Sequence, residues 1–160
     1  MHVSVYAVGR MKAGPERELA VRFLDRFAKA GPAIGLDFTG VTEIPESRAA
    51  SVDERRREEG QRLLARKDGA TALVLLDERG KDIGSEELAR AVAHFGEAAR
   101  KNLIFAIGGP DGHDPALHGD AELVLSFGKL TWPHQLVRVM LAEQLYRTAT
   151  ILSGHPYHRA

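Results

Sequence analysis

Leu103-Ile104-Phe105-Ala106-Ile107-Gly108-Gly109-Pro110-Asp111-Gly112 is an unbroken apolar run closed by a glycine-rich turn. A short apolar run bounded by turn residues reads as a strand buried on both faces, and such strands belong to parallel sheets sheathed by helices. Thr71-Ala72-Leu73-Val74-Leu75-Leu76 repeats the pattern and is read as ending at Asp77-Glu78-Arg79-Gly80. Residues 3–8 form a third strand, ending at Gly9. Amphipathic stretches lie between them. Residues 15–30 put Leu19, Phe23, Leu24 and Phe27 on one helical face and stop at Gly31-Pro32. Residues 52–67 predict a charged helix with a thin apolar stripe at Leu63 and Leu64. Ser85 predicts an N-cap, with Glu86 and Glu87 in the first turn and Leu88, Ala91, Val92, Phe95 and Ala99 facing the core. Residues 34–44 read as extended, 115–119 as a short helix and 123–125 as a strand. The last helix covers 133–152, with Pro133 in its first turn. The alternation predicts an α/β fold: a mainly parallel sheet with helices on both faces, in one domain over residues 1–160.

Composition narrows the function. The chain carries 22 Lys+Arg against 22 Asp+Glu, so it is not held to nucleic acid by bulk charge. The charges are uneven, however. From position 129 onward Lys129, Arg138, Arg147 and Arg159 face only Glu143, which leaves room for a local basic surface. With no cysteine there is no disulfide or thiolate metal site. The first residues lack the basic segment and cleavage site of a secretory leader, and no apolar run approaches the length of a membrane span. A cytoplasmic protein is expected.

Several segments could carry chemistry. In open α/β sheets, ligands bind beyond the carboxyl ends of strands. The turn at 108–112 follows a strand directly, and glycine there lets a ligand approach the backbone. It also reads as a plain tight turn, and the residues alone leave both readings open. It matches neither a dinucleotide fingerprint nor a P-loop. Asp77 either meets a polar ligand group or opens a turn. Phe127-Gly128-Lys129-Leu130-Thr131-Trp132 mixes apolar residues with glycine, as a pocket wall or a packed core would. His134, His155 and His158 lack metal-ligand spacing and a cysteine partner, so no metal is expected. Glu143 and Arg147 are spaced for an ion pair on the last helix. Arg55-Arg56-Arg57, set among acidic residues, reads as a solvated helix face that could also reach phosphates.

Taken together, these segments are far more specific than any one of them. Ile107-Gly108-Gly109-Pro110-Asp111-Gly112, then Leu130-Thr131-Trp132-Pro133-His134-Gln135-Leu136-Val137-Arg138, then Glu143-Gln144-Leu145-Tyr146-Arg147, then Gly154-His155-Pro156-Tyr157-His158-Arg159 closely resembles the RlmH family. These are SPOUT-class methyltransferases that modify a pseudouridine of bacterial large-subunit ribosomal RNA. The length and the N-terminal Val8-Gly9-Arg10-Met11-Lys12 also fit. The resemblance implies a C-terminal trefoil knot, which general topology rules would not suggest, and a homodimer. It implies S-adenosylmethionine held by Leu76, Gly108 and Phe127, Gly128, Lys129, Leu130, Thr131 and Trp132. It implies an RNA end of the site built by Tyr157, His158 and Arg159, with His134 and Arg147 nearby, and N3 of the pseudouridine as the methyl acceptor. Two other readings remain: a non-catalytic module that grips ribosomal RNA, and a SPOUT methyltransferase acting on transfer RNA.

Overall fold

In the computed structural model, which describes residues 1–159, the strands are β1 (His2–Val8), β2 (Asp37–Ile44), β3 (Thr71–Lys81), β4 (Asn102–Ile107) and β5 (Leu123–Leu125). They pair in parallel in the order β2-β1-β4-β3-β5. Alternate side chains point to opposite faces. Val3, Val5, Ala7, Ala72, Val74, Leu76, Leu103, Phe105 and Ile107 therefore share one core with helices α1 (Pro15–Ala30), α3 (Ser85–Glu97) and α4 (His134–Ser153). Tyr6, Val8, Leu73, Leu75, Ile104 and Ala106 form the other core, under Leu63 of α2 (Val52–Leu64) and Leu117 of the short 3-10 helix Pro115–Gly119. The expected parallel sheet with helices on both faces is what the chain forms. Among the described residues no helix is long and apolar enough to cross a membrane.

Local geometry corrects several sequence expectations. β3 does not end at Leu76. Its pairing with β4 stops there, opposite Ile107, but the strand continues to Lys81. Leu76 and Lys81 both pair with Leu125, so Asp77-Glu78-Arg79-Gly80 arches between two feet on the same residue of β5. The arch is tight: a Cβ on Gly80 would lie 2.7 Å from backbone carbons of both Val124 and Leu125. On α1 the buried residues are Ala20 and Phe27, with Leu24 partly buried against the core. Leu19 is 38% exposed, because the stripe is centred on Ala20 and Phe27 and leaves Leu19 at its edge. The N-cap of α3 is Gly84 rather than Ser85. Ser85 already lies in the helix and donates its hydroxyl hydrogen to Gln144 Oε1 at 2.8 Å. Pro133 likewise caps α4 instead of entering it. The charged helix stops at Leu64, short of Lys67.

Ala99 lies outside α3 and is exposed, so it is no part of the core face. Its amide donates to Gly96 O at 3.1 Å, and Arg100 N donates to Phe95 O at 3.0 Å. This paired closure satisfies the orphan carbonyls of a helix end, and it places the penultimate residue in the left-handed region. Ala99 has φ 60°, a position normally taken by glycine. Ala99→Gly should therefore raise unfolding free energy by about 0.5–1 kcal/mol in urea titration. Gly80→Ala should lower it by about 2 kcal/mol or more, because two backbone segments would have to separate.

Candidate active site

The row Ile107–Leu76–Leu125 lies at the carboxyl edge of three adjacent strands. The segments leaving that row enclose a cavity of about 380 Å³, lined by Leu76, Ile107, Gly108, Phe127, Trp132 and His134 among others. This size suits a small-molecule ligand.

The glycine turn forms the cavity's floor. Gly112 N donates to Gly109 O at 2.9 Å, and Gly112 has φ 78°. The turn folds back so closely that a Cβ on Gly108 would lie 3.1 Å from Gly112 C and 3.2 Å from His113 N. The turn is also clasped from α2. Ser51 caps that helix by accepting from Glu54 N at 3.1 Å. One turn later, Arg55 Nε donates to Asp111 Oδ2 and Arg56 Nε donates to Asp111 O, both at 2.7 Å. The Arg55 hydrogen bond holds the Asp111 carboxyl below its usual range. The expectation of a solvated arginine face thus holds for Arg57, which is exposed, but not for Arg55 or Arg56.

The loop after β5 makes the opposite wall. Gly128 has φ 100°, a conformation that favours glycine. Trp132 Nε1 closes the loop by donating to Phe127 O at 3.2 Å. Gly128, Leu130 and Thr131 also line the cavity; the exposed Lys129 does not. Leu130 is 71% exposed at the rim.

The C-terminal residues gather elsewhere, along the second half of α4. Arg147 Nε donates to Glu143 Oε1 at 3.0 Å, and Arg147 Nη1 lies 3.1 Å from His158 Nδ1. The guanidinium also packs over the Tyr157 ring, 4.9 Å from its centroid. The Tyr157 ring packs tilted against that of Tyr146, with centroids 4.7 Å apart, and its hydroxyl donates to Glu143 Oε1 at 3.0 Å. Burial and the Glu143 carboxylate push the Tyr157 phenol above its ordinary range, which keeps it a donor. Arg159 is exposed. His134 is not near this group. It lines the cavity at the start of α4, nine to thirteen residues from Glu143 and Arg147, or about 14–20 Å at the helical rise.

A family model described as predicted SPOUT methyltransferase matches residues 1–158. The chain belongs to the SPOUT methyltransferase family. It is 66% identical to a protein of Mesorhizobium japonicum and 61% identical to one of Brucella anthropi, in each case over the full length of both chains. Both are named ribosomal RNA large subunit methyltransferase H. A solved SpoU methyltransferase, AviRb from Streptomyces viridochromogenes in complex with AdoMet, aligns at 14% identity with a TM-score of 0.38, covering 90% of this chain and 56% of that one.

In this SPOUT chain Asp77 opens a turn and also lines the cavity. Its Oδ1 accepts from Arg79 N at 2.9 Å, and its Oδ2 lies 3.1 Å from His118 Nε2. His113, partly buried, lines the same cavity with Nε2 3.2 Å from Ala106 O, and burial pushes its pKa down, favouring the neutral ring. Nothing in the sequence spacing marks His113 or Arg56 as lining the cavity, nor Arg55 and His118 as partners of residues 56 and 41 positions away. Burial alone would raise the Asp77 carboxyl, but the Arg79 amide and His118 outweigh it and hold the group below its ordinary range. A carboxyl depressed in the fold contributes stability that is present above its unfolded value, about 3.9, and lost as pH falls through the folded value. Asp77→Asn should therefore flatten the acid limb of the stability–pH curve below about pH 4, as read by thermal melts across pH.

Proposed function

We propose that this chain is a cytoplasmic S-adenosylmethionine-dependent methyltransferase that methylates N3 of a pseudouridine in bacterial large-subunit (23S) ribosomal RNA. The observation that carries the reading is the convergence of Leu76, Gly108 and the 127–132 loop on one cavity, in a chain matched end to end by relatives bearing the methyltransferase name. The cavity fits the cofactor in kind. The glycine turn lets a ligand lie against backbone, and Leu76, Phe127, Leu130 and Trp132 offer apolar walls. We assign cofactor holding to Leu76, Gly108, Phe127, Gly128, Lys129, Leu130, Thr131 and Trp132, with Lys129 acting from outside the lining. S-adenosylmethionine, when bound there, supplies a methyl group activated on a sulfonium sulfur.

The chain's own residues must position the acceptor and manage its proton. N3 of pseudouridine is a poor nucleophile until its N–H proton leaves. Tyr157, His158, Arg159 and Arg147 are the groups suited to this, with His134 at the cavity rim. Tyr157 presents a ring for stacking, and Arg159 a cation for a phosphate or for the developing anion. His158 Nδ1 is engaged by the Arg147 guanidinium, so the neutral ring carries its proton on Nε2. In this arrangement His158 has no spare lone pair, and it acts as a base only after Arg147 releases it.

The separation of the cavity and the tail along α4 leads to a dimer. One chain holds its own tail 14–20 Å along the helix from His134, by the helical rise. Leu130 and Trp132, which line the cavity, and Leu136 in the first turn of α4 are exposed large hydrophobic residues. A two-fold homodimer would cover them and bring the partner's tail to this cavity. We read the C-terminal segment as threaded in a trefoil knot, and the whole of 1–160 as one domain of that kind. Ala160 lies outside the described residues.

Ribosomes from a bacterial strain lacking this enzyme, incubated with the protein and S-adenosylmethionine, should gain one methyl group on a large-subunit pseudouridine, located by mass spectrometry. Methylation of transfer RNA alone, or no cofactor binding by calorimetry, would overturn the reading. Deleting residues 157–160 should abolish transfer while cofactor affinity changes little, and should lower the melt because the contacts of Tyr157 and His158 with Tyr146, Glu143 and Arg147 are lost. Gly108→Val should abolish cofactor binding, and a melt of that variant separates pocket loss from opening of the turn. Mixing the two inactive chains should restore activity if each site draws on both subunits; a mixture as inactive as its parts would exclude the shared site.

A further inference from the structure

Parallel sheets are normally covered on both faces, yet one face here is bare at the amino ends of the strands. α2 stops at Leu64, after Leu63 has packed over Tyr6, Leu73 and Leu75. Beyond it the sheet carries polar side chains. His2, Ser4 and Tyr6 alternate along β1 and so share a face. The register places Asn102 beside His2 and Thr42 beside Tyr6. Together with Arg66, these residues line a second cavity of about 260 Å³.

Tyr6 is the anomaly in it. The residue is 2% exposed, and its hydroxyl has no hydrogen-bond partner among the described residues. Buried polar groups in native proteins are almost always paired, and one that is not calls for an explanation. The Arg66 guanidinium stands over the Tyr6 ring, 5.8 Å from its centroid. Around it are hydroxyl and amide donors from Ser4, Thr42, Asn102 and Tyr6, and no carboxylate lines the cavity. One cation, several neutral donors and no acid in the lining make a receptor for an oxyanion. We propose that this cavity binds a phosphate group, supplied either by the backbone of an RNA or by free phosphate. Five residues of β4, about 17 Å at the rise of a strand, separate Asn102 from Ile107 at the other cavity. The phosphate site is therefore distinct from the proposed methyl-donor site.

The test is titration of the intact protein with inorganic phosphate, followed by the backbone amide resonances. The amides of Ser4, Tyr6, Thr42 and Asn102 should shift in a saturable way. Arg66→Gln should weaken that binding about tenfold and Tyr6→Phe about fivefold, since each removes a bond to a charged acceptor. Arg66→Lys should retain part of it. Tyr6→Phe should not lower the melting temperature, because the hydroxyl it removes has no partner in the fold. Cofactor titrations of all three variants should match wild type. A second arm uses a short single-stranded oligoribonucleotide. If RNA supplies the phosphate, Arg66→Gln should reduce the slope of log affinity against log salt by about 0.7. If free phosphate is the ligand, that slope should stay unchanged while the phosphate shifts still respond to Arg66. Absence of amide shifts at tens of millimolar phosphate, or shifts that survive Arg66→Gln undiminished, would overturn the proposal.

Discussion

Leu76 is paired on one side with Ile107 and on the other with Leu125, and the candidate active site depends on that row. In a parallel sheet, residues in register end their strands at the same height. The three segments that leave the row are the 77–80 arch, the 108–112 turn and the loop from Ser126 to Trp132. They start side by side and have to surround one space. The cavity is thus a consequence of strand register more than of any single side chain. β5 is only Leu123–Leu125, and on its own so short a strand would be a weak partner. The second foot of the arch, where Lys81 returns to Leu125 and accepts from Ser126 N at 2.9 Å, gives it the support its length does not.

Two further interactions set the shape of the walls. The α2 clasp fixes both ends of Asp111, its carboxylate through Arg55 and its carbonyl through Arg56. The clasp restrains the backbone of the turn, and two of its members, Arg56 and Asp111, also line the cavity. Glu59, on the same helix, is buried and accepts from Ser47 N at 2.8 Å. Its burial raises the carboxyl's pKa. That helix is highly charged in sequence, yet it acts as a structural strut between two loops at the carboxyl edge of the sheet.

Legibility followed the range of the interaction. Runs such as 71–76 and 103–107 announced buried strands because their signal lies in consecutive residues. Helix α1 and the short helix Pro115–Gly119 were readable to their ends for the same reason. The cavity walls were visible as segments, since glycine turns after buried strands are local patterns. The clasp was not, because Arg55 and Asp111 are 56 positions apart and nothing local distinguishes an arginine that turns inward from one in solvent. The arch defeated local reading too: Asp77-Glu78-Arg79-Gly80 has the composition of a strand end, and only the return to Leu125 makes it part of β3. Helical spacing places Ala99 on the core face, whereas the left-handed closure of α3 puts it outside.

The position of charge also bears on how a chain with zero net charge could hold RNA. A uniform basic surface would bind any polyanion, and the balance of 22 and 22 rules that design out. Local imbalance is the alternative, and many cations here are already committed. Arg55 is paired to Asp111, Arg138 to Glu43, Arg147 to Glu143 and Arg100 to Glu122. Arg66, by contrast, stands over neutral donors at the bare end of the sheet, and Arg159 is exposed at the tail. Cations placed singly, each beside neutral donors or an aromatic ring, contact a phosphate at defined points without the long-range pull of a basic patch. Recognition built this way gains its selectivity from requiring several separated contacts at once. That requirement suits a large, shaped RNA surface better than a free strand.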